Sequence, residues 1–161
     1  AERVRRWALN EDYLMRLVPL VRSRVSVLSD LGFLTFPFLS GIIKITADQL
    51  IEGKLDHDAV SIALDLALMR MESVEWQKAE IENMLKVIAG EMGVKLRELL
   101  RPFFVAMSGS PVSIPLYDAM EILGRDLCRA RLRNALALVG KPESPEKKRQ
   151  LKAMREGETR G

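Results

Sequence analysis

The sequence predicts an all-α protein. Apolar residues recur at three- and four-residue spacing through most of the chain, and capping residues stand in front of several of those runs. The one strand-like stretch, GIIKI, has no partner strand elsewhere.

In chain order, Asn10 is the expected N-cap of a helix whose first turn carries Glu11 and Asp12, the sign that suits a helix N-terminus. Leu14, Leu17, Val18, Val21, Val25 and Leu28 continue it at helical spacing, with a kink or break expected at Pro19. A short piece limited by Gly32 and Pro37 follows. GIIKI then reads as a loop leading into a short helix, and Asp56 caps a clear amphipathic helix. From Ser73 the chain restarts as a helix through Trp76, ended by Gly93. KLRELLRPFFVAM is the next helix, with Pro102 inside it. After a corner at Ser108-Gly109, Ser113 is the expected cap of IPLYDAMEILG, with Pro115 in its first turn. RDLCRARLRNALALVG closes the fold, and Ser144 followed by Pro145-Glu146 marks one last capped helix in a charged tail.

The best boundary falls near Ser73, giving two small packed helical subdomains, 1–72 and 73–140, and a basic tail, 141–161. Each half is near the size at which a core is marginal alone. With 161 residues the whole chain is long enough to bury a sizeable core. No run of about 18 apolar residues and no signal-peptide pattern occur, so neither a membrane span nor secretion is expected. One cysteine, Cys128, suits a reducing, cytoplasmic setting and a buried thiol on the face of Leu132 and Ala135. The eight methionines are expected in the core.

Positive charge gathers at the ends: Arg3, Arg5, Arg6, Arg16, Arg22 and Arg24 first, then Arg125, Arg129, Arg131, Arg133, Lys141 and the tail. Such a stripe is a footprint for a polyanion or, alternatively, a solvated helix face. Asp56, His57 and Asp58 mimic a metal or acid–base cluster, but an acidic helix start is the simpler reading, and the lone histidine and cysteine are far apart in sequence. No Walker A, GxGxxG or GxSxG motif occurs. No catalytic residue and no metal ligand is assigned.

The corner carries a resemblance. Arg101-Pro102-Phe103-Phe104, Ala106-Met107-Ser108-Gly109, Pro115-Leu116-Tyr117, Glu121-Ile122-Leu123-Gly124 and Arg131-Leu132 follow one another as in the C-terminal anticodon-binding region of bacterial glutamyl-tRNA synthetases, class I enzymes. YLMRLVPLVRSRVSVLSDL is similar to an upstream helix of that family, with Arg24 on its arginine. The Trp76 segment and the Gly93-Val94-Lys95 turn match as well. The resemblance runs from Leu14 to Leu138.

The resemblance implies a helical RNA-binding module that reads the anticodon loop of tRNA(Glu) for glutamate attachment by an upstream catalytic domain of the same polypeptide. ATP and Mg belong to that domain. Its HIGH and KMSKS-type motifs are absent here, so this chain needs no cofactor and is expected to be non-catalytic alone, cytoplasmic and monomeric. The implied tRNA-binding residues are Arg24, Lys95, Arg101, Phe104, Ser113, Pro115 and Leu116. By the resemblance, Arg24 reads the third anticodon base. Small residues at the corner admit a base to the backbone, and Pro115 with Leu116 offers an apolar platform. Phe104 departs from the family, which usually has a basic residue there. Two other readings stay open: a helical protein-interaction module that has lost RNA binding, and a hydrolase using Asp56, His57 and Asp58.

Overall fold

A computed structural model describes residues 10–41, 43–111 and 113–158, the side chains of Leu28, Ser29, Phe33 and Glu158 apart. Arg3, Arg5, Arg6 and Arg160 of the basic ends, and Val112 of the corner, lie outside the described residues. Among the described residues every regular element is a helix. In chain order these are α1 (Glu11–Arg22), α2 (Leu28–Leu39), α3 (Ala47–Ile51), α4 (His57–Arg70), α5 (Lys78–Met92), α6 (Leu96–Ser108), α7 (Leu116–Leu123), α8 (Arg125–Val139) and α9 (Pro145–Glu158).

The caps expected at Asn10 and Asp56 form. Asn10 Oδ1 accepts the Tyr13 amide at 3.2 Å, and Asp56 Oδ1 accepts the Ala59 amide at 2.8 Å. The described residues of GIIKI, Gly41 and 43–45, form a loop that enters α3, whose N-cap Thr46 and Gln49 cap each other's amides.

Three residues expected to interrupt or bound helices do not end them. α1 runs through Pro19, which is exposed, so water can satisfy the carbonyl that the proline leaves without a donor. α2 runs through Gly32 and Pro37. Its end is closed from outside, by Arg131 donating to the carbonyls of Pro37, at 2.5 Å, and Ser40, at 2.7 Å.

The helix expected from Ser73 begins only at Lys78. Residues 71–77 form a turn, because Glu121 of α7 accepts the Lys78 amide at 2.9 Å and so defines the helix start. Trp76 therefore precedes α5. Its indole donates to Met120 O at 2.9 Å, and the Arg125 guanidinium lies 5.9 Å from the ring centroid while donating to Val74 O.

α4 lies at the centre. Eight of its residues are buried, and it packs on α8, α5, α6 and α9. The buried apolar residues form one cluster to which helices on both sides of Ser73 contribute. Cys128 is fully buried with Leu132 and Ala135, and burial pushes its thiol up to about 12. The methionines are less uniform: Met71, Met84, Met107 and Met120 are buried, but Met15 is 67 % exposed on α1.

Arg131 sits within this cluster, 4 % exposed. Its guanidinium reaches the carbonyls of Met107 at the end of α6 and of Pro37 and Ser40 at the end of α2. Burial lowers it to about 10, which leaves it charged at neutral pH. No carboxylate pairs with it among the described residues. The negative ends of two helices serve instead.

α9 is bolted on through polar groups. Asp58 accepts the amides of Glu143, at 2.7 Å, and Ser144, at 2.9 Å. Ser61 Oγ donates to Gly140 O at 2.6 Å. His57 Nε2 lies 2.7 Å from Val139 O and Nδ1 lies 3.0 Å from Asp58. A neutral imidazole has one N–H, so only the protonated ring donates to both.

Two predictions follow from these anchors. Arg131→Met leaves two buried carbonyls and one half-buried carbonyl without their donor, and should lower stability by on the order of 3–5 kcal/mol in urea denaturation. Arg131→Lys should recover less than half of that, since an ammonium lacks the planar fork.

The second concerns pH. The Glu143 amide, then His57 and the Ser144 amide, hold the Asp58 carboxyl down at about 2, below its ordinary 3.8. That contribution is complete above about pH 4 and is lost as pH falls from there towards 2. Asp58 and then Val139 O raise His57 above 6.5, so its contribution is complete below about 6.5 and is lost as pH rises through the raised value. Hydrogen exchange of 145–158, corrected for intrinsic rates, should be slowest between those limits. Asp58→Asn should accelerate exchange there and leave the α4–α8 core protected.

Candidate nucleic-acid interface

α6 ends at the corner. Gly109 follows it with φ +76°, a left-handed conformation that closes the helix through Gly109 N and Val105 O at 2.8 Å. Ser108 Oγ lies 2.8 Å from Phe104 O and 3.0 Å from Ser110 O, so its one proton bridges the last turn and the loop. Pro111 stands exposed at the tip.

The second half of the corner turns inward, against expectation. Ser113 is 7 % exposed, Ile114 0 % and Leu116 3 %. Leu116 is therefore part of the core and no platform for a ligand; each of these two buried apolar side chains contributes about 1.5–3 kcal/mol of burial. Ser113 does not cap α7. Pro115 occupies the N-cap position, with no side-chain cap, and the helix starts at Leu116.

Beside the corner opens a groove of about 630 Å³, lined by Glu52, Gly53, Lys54, Lys95, Arg97, Glu98, Arg101, Phe104 and Pro111. Three expected site residues meet here: Lys95, Arg101 and Phe104. Arg101 crosses Gly53, where a Cβ would stand 3.0 Å from Arg101 Cδ, and reaches Glu52 at 3.2 Å. Lys54 approaches Glu98 at 3.5 Å. Lys95 and Arg97 are exposed and have no carboxylate partner among the described residues. They occupy the N-cap and second position of α6, the positive end of the helix, where cations are unfavourable until an anion arrives. Phe104 is half-buried and presents an apolar edge beside these charges.

The other expected residues lie apart. Arg24 is exposed in the turn after α1, its amide on Val21 O at 2.9 Å. Ser113, Pro115 and Leu116 do not line the groove. Lys54, Arg97 and Pro111 were missed by the sequence reading. Arg97, Arg101 and Phe104 stand at i, i+4 and i+7, and that single helical stripe was the available signal.

The basic stripe expected on α8 is largely engaged within the protein. Arg131 is buried, Arg125 holds the Trp76 turn, and Arg129 pairs with Glu72 at 2.6 and 2.8 Å and with Asp126 at 2.7 Å. Asp56, His57 and Asp58 are likewise engaged with backbone groups, and no cluster of three potential metal ligands occurs among the described residues. Among those residues no helix is long and apolar enough to cross a membrane.

A helical body with a cationic groove at a proline-bounded corner has the features of an RNA-binding module, and comparison with known proteins agrees. The chain belongs to the anticodon-binding domain family, whose profile matches residues 1–136. Among its relatives are glutamate–tRNA ligases. That of Marinomonas sp. (strain MWYL1) is 39 % identical over 150 residues, 92 % of this chain and 30 % of the relative. That of Cellvibrio japonicus (strain Ueda107) is 36 % identical over 141 residues, 87 % and 28 % of the two chains. The chain thus spans less than a third of the length of these relatives. The crystal structure of a glutamate tRNA ligase from Elizabethkingia meningosepticum, in complex with its amino acid, shares the fold with a TM-score of 0.70 at 14 % identity, over 82 % of this chain and 26 % of that one. The family expected from the corner and the all-α class expected from the helical spacing are those found.

Two glycines separate conformation from space at and away from the corner. Gly109→Ala forces a side chain into the left-handed region and should cost about 1–2 kcal/mol. Gly32→Ala, in a helix and, among the described residues outside that helix turn, with no atom within 4 Å of its added Cβ, should gain about 0.5–1 kcal/mol. Thermal melts should move a few degrees in opposite directions.

Proposed function

We propose that this chain binds the anticodon loop of tRNA(Glu) on behalf of an upstream glutamate-ligating catalytic domain of the same polypeptide. ATP and Mg serve that domain, and this chain supplies no reacting group. The observation that carries the reading is the groove: Lys95, Arg97 and Arg101 converge with Phe104 beside the corner of a family anticodon-binding domain. The cations attract phosphates, while Phe104 and Pro111 offer apolar surface to an unstacked base. The same Phe104 was the ground for a protein-interaction module. Its place among exposed cations favours RNA.

Ser113, Pro115 and Leu116 act in this reading from behind, by holding Gly109 to Pro111 at the groove rim. The subdomains 1–72 and 73–140 carry different parts of the task, Arg24 on the first and most of the groove on the second. The module works as a cytoplasmic monomer. Arg24 reads the third anticodon base, cytosine in tRNA(Glu) and guanine in tRNA(Gln). A guanidinium only donates, and cytosine offers O2 and N3, whereas guanine's pairing edge presents donors of its own.

The test is a titration of anticodon stem-loops at fixed salt. Lys95→Gln with Arg97→Gln should weaken binding of the tRNA(Glu) stem-loop about tenfold, lower the salt slope by about 1 per lost phosphate contact, and leave the melting temperature alone. Arg24→Gln should narrow the preference for the Glu-type over the Gln-type loop by roughly tenfold, with a smaller change in nonspecific affinity. Full binding by the first variant sinks the groove, and an unchanged ratio in the second reassigns Arg24 to surface charge.

A further inference from the structure

The tail helix α9 begins beyond residues 1–136, the part that the family profile matches. Its apolar side, Leu151 and Met154, packs against the core. Lys141, Lys148, Lys152 and Arg155 line one open depression of about 520 Å³ over Asp65 and Met69 of α4. Lys148, Lys152 and Arg155 stand at i, i+4 and i+7, a stripe about 10 Å long at 1.5 Å per residue. Two of these cations are partly neutralised, Arg155 by Asp65 at 3.5 Å and Lys152 by Glu156 at 3.7 Å. Lys141 and Lys148 are exposed without a carboxylate partner among the described residues.

From this placement we infer that α9 is a second RNA-backbone contact, one that holds phosphates of the bound tRNA outside the anticodon groove. The inference rests on the tRNA reading above. A merely solubilising tail has no need of fixed geometry, yet the segment leading into α9 is held by Asp58, Ser61 and His57. That anchorage sets the cations in place before the ligand arrives, so binding does not bear the cost of ordering the segment. An anionic membrane is the other polyanion a basic helix can meet, but such a helix inserts an apolar face, and Leu151 and Met154 of α9 are partly buried against the protein core. Lysines on an exposed stripe read phosphate without reading sequence.

The experiment compares the full chain with Lys141→Gln/Lys148→Gln/Lys152→Gln and with the three Lys→Arg replacements. The probes are a full-length tRNA(Glu) transcript, a noncognate tRNA, and vesicles of phosphatidylcholine with phosphatidylserine. The glutamine variant, melting like the wild type, should bind both tRNAs about tenfold more weakly with a salt slope lower by about 2, and its Glu-to-noncognate ratio should not move. The arginine variant should retain affinity, and vesicles should bind none of the three proteins. Unchanged tRNA affinity and slope in the glutamine variant, while Lys95→Gln/Arg97→Gln loses binding, overturns this inference alone. Absence of tRNA binding by the wild type overturns the tRNA reading and this inference together. Vesicle binding lost in the glutamine variant with tRNA affinity intact assigns α9 to membranes and overturns it too.

Discussion

Arg131 closes the last turns of two helices at once. The ends of α2 and α6 come from distant parts of the chain, and both leave carbonyls inside the protein where no water is at hand to satisfy them. One guanidinium on α8 answers both. The position of the corner depends on it, since Met107 is the penultimate residue of α6 and the chain turns directly after it. Without that clamp, the Pro37 carbonyl at the end of α2 and the Met107 carbonyl just before the corner would both lose their donor. A buried charge without a carboxylate partner is costly unless dipoles face it, and here two helix C-termini do.

What the sequence made legible was local. Asn10 and Asp56 were readable as caps because the partner amide lies three residues away. Cys128 was readable as buried because its neighbours at helical spacing are apolar. The corner was readable because glycine, serine and proline have few other uses in that order. What stayed hidden depends on residues far away in the chain. Pro37 did not end α2, because Arg131 accepts the task of terminating it from 94 residues away. Trp76 fell outside its helix because Glu121, from α7, sets where α5 begins. Leu116 looked like a platform and proved to be core, since a single apolar residue after a loop carries no sign of which way it faces.

Charge followed the same division. Counting arginines located positive charge on α8, yet most of those side chains are held by carbonyls and by Glu72 and Asp126. Arg133 is exposed on α8, but the cations that gather without internal partners around an open surface stand at the start of α6 and around α9. Only pairing in space separates an arginine that builds the fold from one that faces solvent, so net charge along a sequence is a poor map of surface potential. The groove's own legible signal, the 97–101–104 stripe, was faint because it crosses the boundary between a helix surface and its half-buried edge.

The burial of Cys128 has a practical side. It is the only cysteine of the chain, it is fully enclosed, and its thiol titrates only near 12, so almost no thiolate exists at neutral pH. Maleimides and other thiol-directed dyes should pass it by in the folded protein. A second cysteine placed on the rim of the groove or along α9 would then accept a single fluorophore or spin label without removal of the native one, and distances from either surface could be measured in solution on an otherwise unaltered core.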